Sequence, residues 1–275
     1  MTYNIRMDTA SDGVNRWELR KYSVFRLIQQ YQPDLIGVQE ALPHQLTDLQ
    51  NAFPSFNWYG VGRDDGKHNG EFSAIFYRPS MFELRDKGTF WLSQTPDIPG
   101  SKGWDAALPR ICTWVKLRDR RNNQMICHFN THLDHVGKIA RRESVRLIVS
   151  RMQQIAGSMI PTILTGDFNT GPESDPYRII VRNTRFQDAK YISKTPHDGP
   201  HGTWSTFDVQ HGIGKRLDYI FVSSPHIKVL QHAHLTYSEN QYYPSDHLPV
   251  LATLTIRKSA QLTSKYFYYR NYYYR

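Results

Sequence analysis

Only two cysteines, Cys112 and Cys127, occur in 275 residues. That is too few for a disulfide scaffold, and their separation lacks the paired spacing of a zinc site. Two buried free thiols are the expectation, with one disulfide across a hairpin as the alternative. Nowhere do about 18 apolar residues run together, so no membrane-spanning helix is expected. The N-terminus has no charged-then-apolar secretory pattern. The location stays open on this reading: cytoplasmic if Met1 is the true start, secreted if a leader has been removed. No Ser/Gly-rich linker or charge block interrupts the chain, so residues 1–257 read as one domain. Acidic residues are in deficit, 25 Asp and Glu against 34 Lys and Arg, a formal net charge of +9. The excess fits an anionic partner, whether nucleic acid, a phosphorylated small molecule or an acidic membrane surface, and does not choose among them. What is plentiful, 39% hydrophobic and 13% aromatic residues, marks a folded globular chain and not a disordered one.

Apolar periodicity supplies the elements. Val24, Leu27, Ile28 and Tyr31 recur at i, i+3, i+4 and i+7 and predict a helix over Trp17–Tyr31, stopped by Pro33. Val145, Ile148, Val149, Met152 and Ile155 predict a second over residues 138–155. Its arginines, Arg141, Arg142, Arg146 and Arg151, read as a solvated face in preference to a phosphate-binding ridge. Strand patterns cover 2–6, 34–39, 73–77, 82–91, 111–117, 125–131, 161–165, 217–222 and 249–256, with a hairpin turn at 119–123. Strand runs interspersed with helices imply an α/β arrangement of sheet layers with helices outside. Residues 258–275, rich in aromatics and carrying Arg270 and Arg275, have no apolar period and read as a tail.

Several strand patterns end in groups that chemistry uses. Gln39-Glu40 follows Leu35-Ile36-Gly37-Val38, and Gly166-Asp167-Phe168-Asn169 follows Ile163-Leu164-Thr165. Asn130-Thr131-His132, Leu217-Asp218-Tyr219 and Ser245-Asp246-His247 repeat the arrangement. Ligands of α/β folds gather at strand ends and in the loops just beyond. If these groups converge, Glu40, Asp167 and Asp246 repel one another unless a cation lies among them, and hard oxygen donors suit Mg²⁺. His132 and His247 each adjoin a candidate carboxylate and bring acid–base capacity near neutral pH. Asn4 and Asn169 offer amides to a phosphoryl oxygen or an attacking water. Together they specify metal-assisted hydrolysis of a phosphate ester.

The ordered series Thr2-Tyr3-Asn4, Gln39-Glu40, Glu71 with Phe76-Tyr77-Arg78, Asn130-Thr131-His132, Gly166-Asp167-Phe168-Asn169, Leu217-Asp218-Tyr219 and Ser245-Asp246-His247 resembles the endonuclease/exonuclease/phosphatase superfamily over residues 1–257. In wording it is closest to bacterial members without an assigned substrate. The resemblance implies the DNase I-like fold, a four-layer sandwich of two mixed β-sheets packed face to face with helices on the outside. It implies Glu40 as the main Mg²⁺ ligand, with Mn²⁺ as a substitute, Asn4 beside the metal or the scissile phosphate, and Asp246 completing the metal region. Asp167 and Asn169 would position the attacking water and the phosphoryl oxygen. His247, oriented by Asp218, would be the base or electrostatic partner of that water. His132, supported by Glu71, would face the leaving group or a phosphate oxygen. Arg110 resembles a phosphate-contacting arginine of the family. Trp104 and Trp204 lie in loops that vary among members, where they could pack or stack on a base or sugar. His128, His135, His201, His211 and His226 have no counterpart and read as surface or packing residues, with His135 and Asp134 near enough to His132 to line a pocket.

The first functional reading is therefore a Mg²⁺-dependent phosphodiesterase or nuclease acting as a monomer. A small-molecule or sugar phosphomonoesterase on the same site is the alternative, and a binding module without catalysis the third.

Overall fold

The computed structural model describes residues 1–256, so the aromatic tail expected at 258–275 lies outside the described residues. Along the chain run β1 (Thr2–Asn4), α1 (Trp17–Tyr31), β2 (Leu35–Gln39), α2 (Pro43–Ala52), β3 (Asn57–Tyr59), β4 (Ile75–Tyr77), β5 (Phe82–Trp91) and β6 (Ile111–Asp119). There follow β7 (Met125–His132), α3 (Lys138–Ala156), β8 (Thr162–Asp167), α4 (Asp175–Asn183), β9 (Phe186–Asp188), β10 (Asp218–Ser223), β11 (Ile227–His234) and β12 (Val250–Ile256). They build two six-stranded sheets, ordered β11-β12-β1-β2-β4-β3 and β5-β6-β7-β8-β10-β9. Each is mixed: β1 runs parallel to β2 and β7 to β8, and the remaining neighbours are antiparallel.

Three apolar clusters fill the spaces between four layers. Val24, Leu27 and Ile28 of α1 and Leu46 and Leu49 of α2 bury against Tyr3, Ile36, Val38 and Phe76 of the first sheet. Val145, Ile148 and Met152 of α3 and Tyr177 and Ile180 of α4 bury against Phe129, Leu164, Tyr219 and Phe221 of the second. Between the sheets, Ile75, Val229 and Val250 meet Val115, Leu117, Ile163, Ile220 and Val222. Central strands are thus covered on both faces, which is why Tyr219-Ile220-Phe221-Val222 is a continuous apolar run and does not alternate. The fold is the DNase I-like sandwich. Three arginines of α3 are held by ion pairs, half-buried Arg142 and exposed Arg146 with Glu143 and half-buried Arg151 with Asp97.

Register settles the cysteines. Cys112 on β6 stands opposite Thr131, and Cys127 on β7 opposite Lys116, so the two never face each other. Both are buried free thiols.

Near the ends of β1 and β8 the inter-sheet layer turns polar. Asn130 Nδ2 donates across it to Val38 O and Ala74 O at 2.9 and 3.0 Å. Its Oδ1 accepts from Gln39 Nε2 at 2.6 Å and Thr165 Oγ1 at 3.0 Å. Gly37 is required here for lack of a side chain, since a Cβ would lie 2.4 Å from Asn130 Oδ1.

Candidate active site

Strand register places the chemical groups in rows. His132 at the end of β7 stands opposite Asp167 at the end of β8, and Asp167 opposite Asp218. Asp218 begins β10, but β10 is antiparallel to β8, so its start lies at the same edge. In the other sheet Asn4 pairs with Gln39, and Glu40 follows. Buried strands thus carry both halves of the site to one end of the sandwich.

Asn4 joins the halves. Its Nδ2 donates to Glu40 Oε1 at 2.9 Å and to Asp167 Oδ2 at 3.0 Å. Glu40 Oε2 accepts from Met7 N at 3.2 Å. Arg6, paired with Asp12, extends its guanidinium between Glu40 and Asp246, 3.9 and 4.0 Å away. His247 Nδ1 donates to Asp218 Oδ2 at 2.8 Å, which fixes the ring so that Nε2 faces Asp167 Oδ2 at 3.7 Å. Thr203 Oγ1 donates to the same Asp218 oxygen at 2.6 Å. On the other side of Asp167, His132 Nε2 lies 3.6 Å from Oδ2 and accepts from Asn169 Nδ2 at 3.0 Å. That leaves the His132 Nδ1 proton toward Glu71 Oε2, 3.6 Å away.

Burial sets the electrostatics. Asn4, Asp167 and Asp218 are at most 1% exposed, and His132, His247 and Glu71 at most 9%. Burial and the nearby Arg110 cation push His132 down to about 3, so it is neutral. His247 goes the other way: burial opposes its charge, but Asp218 and Asp167 together raise it well above the ordinary imidazole range. Burial raises Asp167 and Asp246, assisted by Asp218 in the first case and Glu40 in the second.

Such crowded carboxylates are what a divalent cation relieves. Donor atoms of Glu40, His132 and Asp167 lie within 4.8 Å of one another, as do those of Asp167, Asp218 and His247. The buried Oδ1 of Asp218 has no hydrogen-bond partner. With Asn4 and Asp246 alongside, this donor set fits a hard, oxygen-seeking ion.

All the residues singled out from sequence gather here except the tryptophans and, in part, Arg110. Arg110 lies inward, only 4% exposed, with Nε 3.4 Å from Asp134, Nη2 2.9 Å from His135 Nδ1 and Nη1 3.9 Å from Glu71. Asp134 in turn accepts from the backbone N–H groups of Ala107, Leu108, Val136 and Gly137. Trp204 is 43% exposed, and its backbone bridges to His247. Trp104 is half-buried with a positive φ of 51°. Sequence reasoning missed Arg63, 8% exposed with Nη1 2.7 Å from Glu71 Oε2, and also Arg6 and Thr203. The only signal for Arg63 is its place in the Gly62-Arg63-Asp64-Asp65-Gly66 turn.

The sequence profile of the Endonuclease/Exonuclease/phosphatase family matches residues 1–247. The chain belongs to this family. A mannosyl-6-phosphatase from Bacteroides thetaiotaomicron is 39% identical, with a TM-score of 0.86 over 93% of this chain and 98% of that one. A family member from Bacteroides vulgatus is 38% identical, with a TM-score of 0.87 over 93% and 97%. The human nocturnin catalytic domain, 22% identical with a TM-score of 0.73 over 92% and 91%, shares the fold. Among curated relatives, nocturnin of Drosophila melanogaster is 25% identical over 86% of this chain, which spans only 41% of that protein. As a member of this family the chain is a hydrolase. No helix among the described residues is long and apolar enough to cross a membrane.

Proposed function

We propose that this family member is a Mg²⁺-dependent phosphomonoesterase acting on a small phosphorylated molecule such as a sugar phosphate. The observation that carries the reading is the burial of the acid–base groups together with two arginines. Asp167, Asp218, His132 and His247 are at most 7% exposed, and two buried arginines, Arg63 and Arg110, flank Glu71 beside His132. Cations set inward in this way suit a terminal phosphate on a small molecule, whereas a polymer favours basic groups along an open groove. This moves the monoester ahead of the diester that the complete motif series and the basic balance favoured. Identity of 39% to the mannosyl-6-phosphatase agrees with it.

Glu40, Asp246 and Asn4 would hold the ion. A bound divalent cation supplies Lewis-acid stabilisation of the phosphoryl and leaving oxygens. The chain's own groups do the rest. A water seated between Asp167 Oδ2 and His247 Nε2 gives its proton to Asp167 as it attacks phosphorus. His247, a cation between two carboxylates, faces the phosphoryl oxygen where negative charge develops. Asn169 fixes the lone pair of His132 and the loop after β8; neutral His132 has no proton to give at Nε2, so the outgoing oxygen takes one from solvent as the alcohol departs.

The test is a panel of sugar phosphates, nucleoside monophosphates, bis(4-nitrophenyl) phosphate, DNA and RNA, with Mg²⁺, Mn²⁺ or chelator. Phosphate release from a sugar phosphate, lost in chelator, is expected. Cleavage of diesters or polynucleotides with every monoester untouched would overturn the reading. That outcome would give exposed Trp204 the role of stacking platform for a base.

A further inference from the structure

A second group of ligand-type side chains lies outside the catalytic set. His232 and His234 alternate along the edge strand β11, so both point to one face. The segment from β9 toward Thr203 runs beside that edge and is tied to it by its backbone. Lys194 N and Thr195 N donate to Val229 O and Leu230 O, Asp198 N donates to His232 O at 3.1 Å, and His234 N donates back to Asp198 O at 3.0 Å. This brings His197 onto the pair. Ring centroids are 5.0 Å apart for His197 and His232, and 4.4 Å for His197 and His234. One ligand nitrogen of each ring lies within 4.8 Å of the others. Gly199, with φ of 86°, allows the close turn, since a Cβ there would lie 2.1 Å from His234 O.

The hydrogen bonds decide which nitrogens are bare. Pro200 O accepts from His197 Nε2 at 3.0 Å and from His234 Nδ1 at 2.7 Å. A carbonyl cannot donate, so both rings carry their protons there, leaving lone pairs on His197 Nδ1 and His234 Nε2. His234 Nε2 and His232 Nε2 are buried without a hydrogen-bond partner. Both residues are at most 2% exposed. An imidazole anchored through one nitrogen to a carbonyl, with the other bare, is how metal-ligating histidines are held. The 3.0 Å contact between His197 Nδ1 and His232 Nδ1 is a hydrogen bond donated by His232, which an ion bound to His197 Nδ1 would replace.

Two cations face the cluster, Lys190 and Arg216. Arg216 is neutralised by Asp188, at 2.6 and 2.8 Å, while Lys190 Nζ lies 3.4 Å from His201 Nδ1. Burial first, and their field second, keep the rings neutral, the form that ligates, and the field disfavours an ion that gains little from imidazole. Mg²⁺ is such an ion, whereas Zn²⁺ favours imidazole.

We propose that His197, His232 and His234 form a Zn²⁺ site separate from the catalytic centre, clipping the segment after β9 to the edge of the first sheet. The clipped segment continues into Thr203, whose hydroxyl holds Asp218 in place for His247. The site therefore steadies the orienting partner of a catalytic-site imidazole and takes no part in the chemistry.

The test uses the full chain, stripped with chelator and then titrated with Zn²⁺, or with Co²⁺ as a visible-absorbing probe. Zn²⁺ at about a hundred times its Kd is expected to raise Tm by roughly 5–10 °C, with Co²⁺ giving an intense nitrogen-ligand band. Both responses should persist in Glu40→Gln. In His197→Gln, on the half-buried segment, affinity should fall by more than about 100-fold, beyond what an outer-shell loss causes. His234→Ala should behave alike; if it fails to fold, His197→Gln still decides. A response that survives in His197→Gln and disappears in Glu40→Gln places the ion at the catalytic centre and overturns the proposal, as does no response in the unsubstituted chain.

Discussion

At Glu40 the backbone is left-handed, with φ of 60°, and at Asn169 it is again, with φ of 48°. Neither residue is glycine, so each conformation costs roughly 1–2 kcal/mol. The cost is offset by placement: the turn after β2 directs Glu40 to Asn4 and Met7 N, and the turn after β8 directs Asn169 to His132. Glu40→Gln keeps that shape and removes the charge. We expect kcat/KM to fall by about 10³-fold, the scale of losing one electrostatic stabiliser. The metal-free Tm should fall modestly, because burial opposes the Glu40 charge but the neighbouring imidazoles and the Asn4 hydrogen bond outweigh it and hold the carboxyl below its ordinary value. A variant of undiminished activity would remove Glu40 from the site. Asp218→Asn tests orientation: with the carboxylate gone, His247 loses both its anchor and much of what raises its pKa. We expect kcat to drop about 10²–10⁴-fold with KM little changed. The rate should also decline at lower pH than in the unsubstituted enzyme, because the cationic ring is lost nearer its ordinary value of about 6.5. A pH–rate profile reads both effects, and an alkaline limb that stays in place would exclude the pairing.

Helices α1 and α3 and the long strands other than β11 were legible because their apolar periods are sustained. The site was legible because each group is contiguous with a strand end, as in Gly166-Asp167-Phe168-Asn169. Short elements were not. β3 and β9 have three residues each, and α2 shows only Leu46 and Leu49 as apolar core positions. β11 hides its inward face behind His232 and His234, which read as polar. Pairs such as Arg63 with Glu71 or Arg110 with Asp134 depend on how loops fold back, which no local pattern encodes. The same holds for the contact between sheets, where Gly37 lets Asn130 reach two carbonyls of the opposite sheet. Gly37→Ala would drive a methyl into Asn130 Oδ1 and Thr165 Oγ1, at 2.4 and 2.5 Å. We expect a loss of about 3 kcal/mol from overpacking and broken hydrogen bonds. Urea unfolding would measure it, and a change under about 1 kcal/mol would mean that the sheets do not approach so closely.

Across the whole molecule, acid is the natural denaturant. Burial pushes five histidines down, His128 and His132 to about 3, His232 and His234 to about 2, and His197 in the same direction. Unfolded, each titrates near its ordinary value of about 6.5. Between those limits the unfolded chain binds more protons, so stability is present above about pH 6.5 and is lost as pH falls below it. Each group contributes a slope of about 1.4 kcal/mol per pH unit in that window. His247, raised in the folded state, is protonated in both states there and adds no slope. Asp167 and Asp246, also raised, take protons first in the folded chain and so oppose the trend at the acid end. Urea midpoints measured in chelator should therefore fall steeply from pH 6.5 to pH 5 and little from pH 8 to pH 7. His128 isolates one contributor, since it sits between the sheets with Nε2 2.8 Å from Thr165 Oγ1 and Nδ1 unpartnered. His128→Gln should keep a hydrogen-bonding group there while lowering the slope by one proton, about 1.4 kcal/mol per pH unit. An unchanged slope would mean that His128 is protonated in the folded protein, and the polar layer between the sheets would then have to accommodate a charge.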